Sequence, residues 1–249
     1  MKSEVSATPF WRFIPLINAP GKVQMAIDSW LLEQHRLGKQ PPTLRFYTWS
    51  PAAISLGYHQ RRYPTFWNSL PLDLVRRPTG GRAVLHQGDL TYMIVTSSIS
   101  GKRQEVYRLL CEFLIQGWRS LGIQLHYGTA GRAYMKNPSC FGTVTVADLV
   151  SSSGNKFIGS AQLYKGQALL QHGSMILARD RELFEQVFGS PTLYFPPLEL
   201  PWSQEGGVPG VETIVEALTK AARGCFGVEL VNQPLSDWEW QELSAFQLN

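Results

Sequence analysis

Short apolar segments separated by turn residues fill the middle of this chain, and this pattern constrains the fold more than any other feature. Short runs bounded by Gly, Pro, Asn and Ser are typical of strands. The predicted strands occupy 44–57, with a break at Ser50-Pro51, then 72–77, 82–85 and 90–96, and lastly 147–177 with turns at Gly154, Gly159 and Gly166. We expect 82–85 and 90–96 to pair with each other.

Segments with apolar residues at intervals of three and four predict helices around these strands. Val106, Leu110 and Phe113 belong to such a stripe, which predicts a helix over 104–121 with one face against a core. Further helices are predicted at 21–38, 209–223 and 236–246, with a short strand at 228–231. Strands in the middle with helices beside them predict an α+β fold, with a mixed or antiparallel sheet core flanked by helices.

The composition fits a folded globular protein. Hydrophobic residues make up 44% and charged residues 17% of the 249 positions, which excludes a disordered chain. The net charge of +4 comes from scattered basic residues, so we expect no nucleic-acid partner. The sequence has neither an apolar run of about 18 residues nor the apolar core of a signal peptide near its start, so we expect no membrane segment and a cytoplasmic protein.

The cysteines and histidines offer neither a disulfide framework nor a metal site. Cys111, Cys140 and Cys225 form no Cys-x-x-Cys pair, and no two of the five histidines have metal-ligand spacing. A P-loop, a dinucleotide-binding glycine motif, a zinc-protease motif and a serine nucleophile elbow are also absent from the sequence. We therefore expect no metal and no cofactor.

The first segment that can carry chemistry is Arg76–His86. Gly80 and Gly81 follow a predicted strand, and adjacent glycines let the backbone bend sharply and approach a ligand closely. Arg77 and Arg82 flank this turn and can meet an anionic group. The alternative is an ordinary hairpin turn with solvated arginines.

The second segment, 155–162, places Lys156 on an apolar strand that continues into Gly159, Ser160 and Ala161. A lysine in this position can project its ammonium into a cavity, and the small residues leave room for a substrate beside the backbone. The alternative is an ordinary hairpin with an exposed lysine.

The third segment is the loop around Cys140, which lies between a proline and a glycine and outside any helical stripe. A loop cysteine can be partly exposed and tuned by a nearby cation, so Cys140 is the candidate nucleophile. Cys111 lies in an apolar helix and Cys225 at a helix-to-strand junction. Free cysteines in such places behave as small buried hydrophobes, and we interpret both as structural.

Taken together, these segments resemble the biotin/lipoate A/B protein ligase superfamily, whose members attach lipoate, octanoate or biotin to a lysine of a carrier domain. Residues 76–92 are similar to the family's Arg-Arg-x-Ser/Thr-Gly-Gly motif, and residues 156–177 to its Lys-x-x-Gly-Ser-Ala-Gln and Gln-His-Gly block. The resemblance covers about residues 10–190. It implies that 1–249 form one catalytic domain of this fold type, at about 10–225, with a helical C-terminal tail.

Within this superfamily the sequence resembles the cysteine-based octanoyltransferases more than the ATP-dependent lipoate ligases. Its glycine motif continues Arg-Ala-Val-Leu-His, Cys140 precedes Lys156 as the nucleophile does in those transferases, and the chain extends only a short way beyond the second block. Two departures are Gln87-Gly88, where an acidic pair is usual, and a serine-rich stretch at 150–154.

The resemblance implies transfer of octanoate from acyl carrier protein to Cys140, and then to a lysine of the glycine-cleavage H protein or of a lipoyl domain of a 2-oxoacid dehydrogenase. Lys156 would favour the thiolate and, with backbone N–H groups near Gly159 and Ser160, stabilise the oxyanion. His86 and His172 would line the pocket or orient partners, or be structural. The implied substrate-binding residues are Arg77, Thr79, Gly80, Gly81, Arg82, His86, Gly159, Ser160, Ala161 and His172.

Two other functions stay open at this point. An ATP-dependent lipoate ligase would activate the free acid as an acyl-adenylate. A non-catalytic carrier-binding module would bind acyl carrier protein or a lipoyl domain without forming an acyl-enzyme.

Overall fold

The computed structural model describes residues 9–128, 148–178, 180–189 and 210–246. Two sheets organise these residues. The large sheet contains β1 (Phe10–Ala19), β2 (Thr43–Trp49), β6 (Asp89–Ser97), β7 (Leu125–Tyr127), β8 (Asp148–Ser151), β9 (Lys156–Lys165), β10 (Ala168–Ile176) and β11 (Glu229–Asn232). The small sheet contains β3 (Ala53–Leu56), β4 (Asp73–Arg76) and β5 (Val84–His86).

The large sheet is mixed and has the order β11-β1-β2-β6-β10-β9-β8-β7. β1 runs parallel to both of its neighbours, β11 and β2, and all other pairs are antiparallel. The helices are α1 (Gly21–Arg36), α2 (Arg103–Ser120), α3 (Arg181–Phe188), α4 (Val211–Phe226) and α5 (Asp237–Phe246), and Thr65–Ser69 form a 3-10 turn.

Both faces of the large sheet are covered, as β6 shows most clearly. Successive side chains of a strand point to opposite faces. Tyr92 and Ile94 pack into a core with α2 and α4, whereas Met93 and Val95 pack into a second core with α1. The predicted α+β class, with a mixed sheet between helices, is confirmed.

The predicted pairing of 82–85 with 90–96 is wrong. β5 pairs with β3 in the small sheet, while β6 lies between β2 and β10 in the large one. The connection turns at Gly88, which has a φ of +65°. The Gly88 carbonyl accepts hydrogen bonds from the N–H groups of Leu177 and Ala178, so this turn is bound to the end of β10.

The turns predicted at Gly154 and Gly166 are present, and both glycines have positive φ. Gly159 is not a turn, because β9 passes through it and pairs there with Asp148 on one side and Ser174 on the other. Continuous pairing on both sides keeps this glycine extended.

The C-terminal elements contact the edge of the large sheet. β11 extends the sheet beside β1, and α5 packs on α1 through Leu243. The Arg12 guanidinium donates to both carboxylate oxygens of Glu239 at 2.6 and 2.8 Å, and both side chains are buried. No helix within the described ranges is long and apolar enough to cross a membrane.

Candidate active site

A cavity of about 250 Å³ lies where the glycine turn after β4 faces β6, β9 and β10. The predicted residues that line it come from both sequence blocks: Arg77, Gly80, Gly81, His86, Lys156, Gly159, Ser160, Ala161 and His172. Thr79 is fully buried and Arg82 partly exposed, and neither is part of the cavity wall formed by the described residues. Cys140 lies outside the described residues.

Close backbone approach explains Gly57, and a positive φ explains Gly81. A Cβ on Gly57 would lie 1.9 Å from the carbonyl oxygen of Gly81, so the two chain segments approach too closely for any side chain. Gly81 itself has a φ of +96°, a conformation that favours glycine.

Arg77 holds the same turn together. Its five N–H donors are directed at the carbonyl and hydroxyl oxygens of Ser55 and the carbonyls of Gly80 and Arg82, over 2.6 to 3.1 Å. The guanidinium therefore shapes the cavity wall through backbone carbonyls, in the position where the sequence suggested contact with an anion.

The Gly57→Ala substitution is expected to destabilise the protein by about 3 kcal/mol, at the upper end of ordinary overpacking, because backbone must move to admit the methyl group. The melting temperature would then fall by several degrees. Gly80→Ala is the matched control, since nothing lies within 4 Å of its Cβ position. Equal melting temperatures for the two variants would contradict this account of the turn.

His172 connects the glycine turn to the interior of the large sheet. Its Nδ1 lies 2.7 Å from Asp28 Oδ2, and its Nε2 lies 2.6 Å from Thr79 Oγ1. Asp28 is fully buried and also accepts hydrogen bonds from Arg45 and Tyr47. Burial alone would raise the pKa of Asp28, but the Arg45 charge and the hydrogen bonds hold this pKa below its usual value.

His86 forms a second arrangement of the same kind. Its Nδ1 lies 2.8 Å from Asp89 Oδ2, and its Nε2 lies 2.8 Å from Ser55 Oγ. The ring stacks on Trp49 at 3.8 Å between centroids. Burial lowers the pKa of His86, and Asp89 offsets only part of that effect.

Lys156 is buried at the cavity wall, with 5% of its surface exposed. Its ammonium lies 2.9 Å from Asp148 Oδ1, on the neighbouring strand β8. The sequence predicted the ammonium in a cavity but missed its carboxylate partner, which also lines the cavity.

The strands β9 and β10 form the floor of the cavity, and small residues are required there. A Cβ on Gly173 would lie 2.4 Å from Ser160 Oγ and 2.7 Å from the Tyr92 ring. Tyr92 donates its hydroxyl hydrogen to Ser160 Oγ at 2.8 Å and in turn accepts from Gln171 at 2.8 Å. This network fixes the Ser160 hydroxyl at the cavity surface.

Cys111 lies beneath the same network and is fully buried, 3.3 Å from the Gln171 amide nitrogen. Burial raises the pKa of its thiol to about 11, so it stays protonated at neutral pH. Burial also raises the pKa of the partly exposed Cys225. Neither thiol has the environment of an activated nucleophile.

The sequence analysis missed Asp28, Ser55, Asp89 and Asp148, each of which binds one of the predicted residues. Asp28 and Asp89 carry a detectable signal, because each is a carboxylate beside apolar residues of a predicted helix or strand. Asp148 carries the same signal, because it stands beside Leu149 and Val150 in the predicted strand region 147–177. Ser55 shows no local pattern that singles it out.

Comparison with known proteins identifies the family. The family model described as the lipoyl protein ligase A/B catalytic domain matches residues 20–193. An octanoyltransferase LipM of Anoxybacillus flavithermus is 37% identical over 196 residues, covering 73% of this chain and 70% of the relative. The Bacillus subtilis octanoyltransferase LipM is 37% identical over 197 residues, with the same coverage of 73% and 70%.

Solved structures agree in fold. A lipoate-protein ligase A bound with ATP superposes with a TM-score of 0.77 at 20% identity, covering 96% of this chain and 95% of that one. A bi-partite lipoate protein ligase from Thermoplasma acidophilum gives 0.70 at 19% identity, covering 97% and 93%. The predicted resemblance and fold type are confirmed: the chain belongs to the lipoyl protein ligase A/B catalytic-domain family.

Proposed function

We propose that this protein is an octanoyltransferase of lipoate biosynthesis. It takes octanoate from acyl carrier protein, holds it as a thioester on Cys140, and passes it to a lysine of the glycine-cleavage H protein or of a lipoyl domain, in the cytoplasm. The observation that carries the proposal is the match to octanoyltransferases at 34–40% identity. These matches cover 67–74% of this chain and 65–72% of each relative.

The cavity supports a short acyl group as the substrate. Its volume of about 250 Å³ is close to the lower bound, roughly 300 Å³, for small-molecule sites. Its wall combines apolar surface from Met25 and Val84 with the polar groups of Lys156 and the two histidines. A chain of eight carbons with one reacting carbonyl fits this combination.

In the first step the Cys140 thiolate attacks the thioester carbonyl of the donor, and the donor's thiolate leaves. Exchange of one thioester for another is nearly isoenergetic. The Lys156 ammonium favours the attacking thiolate and the oxyanion that forms. The buried Lys156 ammonium lies 2.9 Å from the Asp148 carboxylate, so its charge is compensated within the protein.

In the second step the acceptor lysine, as a free amine, attacks the carbonyl of the acyl-enzyme, and the Cys140 sulfur leaves. An amide is more stable than a thioester, so this step is downhill. The donor is already activated, and the proposal therefore requires no nucleotide and no metal.

Octanoylation of an acceptor domain is expected to proceed at full rate in nucleotide-free buffer when octanoyl-acyl carrier protein is the donor, because the thioester supplies the driving force. The measurement is intact-protein mass spectrometry of the acceptor with and without ATP. Free octanoate with ATP and Mg²⁺ is the control donor. A strict ATP requirement with free octanoate as the preferred donor would place the protein among the lipoate ligases, and donor binding without any transfer would indicate a carrier-binding module.

A further inference from the structure

The cavity wall contains two imidazoles, each held between a carboxylate and a hydroxyl. His86 lies between Asp89 and Ser55, and His172 lies between Asp28 and Thr79. An ionised carboxylate only accepts hydrogen bonds, so Nδ1 of each ring carries the hydrogen. Each Nε2 is then a hydrogen-bond acceptor, and the hydroxyl donates to it.

Of the two hydroxyls, only that of Ser55 belongs to the cavity wall formed by the described residues. A hydroxyl has one donor and two acceptor positions. Ser55 donates to His86 Nε2 at 2.8 Å and accepts from Arg77 Nη1 at 3.1 Å. One acceptor position of Ser55 Oγ is left, among the described residues, for a donor that enters the cavity.

The charges around the two carboxylates decide which imidazole can accept a proton. Asp28 is already neutralised by Arg45, at 2.7 Å, so a proton on His172 would leave a net positive charge in the interior. Asp89 accepts from His86 and from the hydroxyls of Thr91 and Ser174, all uncharged donors, and its Oδ1 has no hydrogen bond in the described structure. A proton on His86 would therefore complete an ion pair.

We propose that Ser55, His86 and Asp89 form a proton relay that deprotonates the acceptor lysine in the second step, an assignment that rests on the proposed octanoyl transfer. The lysine ammonium donates a proton to Ser55 Oγ as the Ser55 hydroxyl proton passes to His86 Nε2. The free amine attacks the thioester carbonyl. Its second proton leaves with the Cys140 sulfur as a thiol, so the products are the amide, the thiol and an imidazolium paired with Asp89.

The charged and titratable groups that act on His86 are Asp89, Arg77 and His172. Burial, Arg77 and His172 favour the neutral ring, whereas Asp89 favours the charged one. The net effect lowers the pKa of His86, so the ring is neutral and able to accept a proton at neutral pH. A lysine ammonium, with an ordinary pKa near 10.4, is a weaker acid than the His86 imidazolium. Proton transfer to His86 is therefore uphill, and the downhill attack of the free amine on the thioester draws it forward.

The test separates the two half-reactions of the full-length protein. The first measurement is the rate of acyl-enzyme formation from octanoyl-acyl carrier protein, and the second is single-turnover transfer from isolated acyl-enzyme to an acceptor domain. Ser55→Ala and His86→Asn are expected to slow the second step by about 100-fold or more, the usual contribution of general base catalysis. The first step is expected to stay within a few-fold of wild type.

The pH dependence distinguishes proton transfer from positioning. In both variants the rate of the second step should rise about tenfold per pH unit, because the acceptor lysine must lose its proton without help from the protein. In the wild-type protein this rate should stop rising once His86 is neutral. Thr79→Val is the matched control, because it removes the hydroxyl that donates to the other imidazole, His172, and Thr79 is not part of the cavity wall formed by the described residues. This substitution is expected to lower the melting temperature, but not to slow the second step selectively in a way that high pH reverses.

Three results would overturn the proposal: equal slowing of both steps, a loss that persists at high pH, or the same selective loss in Thr79→Val. Failure of the wild-type protein to form any acyl-enzyme would instead overturn the proposed function itself. The two failures are therefore distinguishable in one series of experiments.

Discussion

The Cys140→Ala variant is expected to form no octanoyl-enzyme and to lose octanoyl transfer by about 10⁴-fold or more, the scale on which loss of a nucleophile acts. The physical reason is that alanine has no atom that can hold the acyl group between donor and acceptor. Intact-protein mass spectrometry after mixing with octanoyl-acyl carrier protein measures the adduct directly. The wild-type protein should gain one octanoyl group and the variant none.

Cys111→Ser is the control for this experiment. Cys111 is fully buried, its pKa is raised to about 11, and serine preserves a hydrogen-bonding group for Gln171. The adduct should therefore form as in wild type. An adduct that survives Cys140→Ala but disappears in Cys111→Ser would place the acyl group on Cys111 in α2, and would require an activated thiol inside the core.

The sequence predicts those cavity residues that lie in continuous segments of the chain. The Arg76–His86 turn and the strand that starts at Lys156 each show a local pattern, and the structure brings both to one cavity. The local sequence pattern also predicts α1 and α2, since their apolar residues recur at intervals of three and four residues. The strand β7, of three residues, is too short to show a pattern, and the ten-residue strand β1 is not predicted either. The eight-residue helix α3 is also missed, although its apolar residues follow the helical repeat between Asp180 and Gly189.

Contacts between residues that are far apart in the sequence could not be predicted in this way. His172 and Asp28 lie 144 positions apart, yet their side chains are 2.7 Å from each other. This contact depends on the packing of α1 over β10, which no local pattern predicts. The strand order is not predicted either, and the two-residue connection between β5 and β6 is wrongly interpreted as a hairpin. The same error hid Ser55, which reaches His86 only because β5 pairs with β3.

Lys156→Ala is expected to lower turnover by about 100- to 1,000-fold, the usual effect of removing one preorganised contact to an oxyanion. Affinity for the carrier protein should stay near wild type, since the proposed contact is made only in the transition state. Lys156→Arg should rescue poorly, because a planar guanidinium does not fit the site of a compact ammonium.

The ion pair with Asp148 means that Lys156→Ala also leaves a buried carboxylate without this partner, which costs about 3–5 kcal/mol of stability in comparable cases. A double variant, Lys156→Met with Asp148→Asn, removes both charges of the pair. It should recover most of the melting temperature but not the turnover. Recovery of turnover together with stability would show that Lys156 only holds β8 and β9 together.

The pH dependence of Cys140 labelling tests the roles of Lys156 and Asp148 independently. The ammonium should favour the thiolate, whereas the carboxylate should disfavour it. Without the ammonium the thiolate is less favoured, so in Lys156→Ala the midpoint of iodoacetamide labelling should move to higher pH. In Asp148→Asn the ammonium is no longer offset by a carboxylate, so the midpoint should move to lower pH. Unchanged midpoints in both variants, with unchanged turnover in Lys156→Ala, would mean that the cation acting on Cys140 is an arginine such as Arg82.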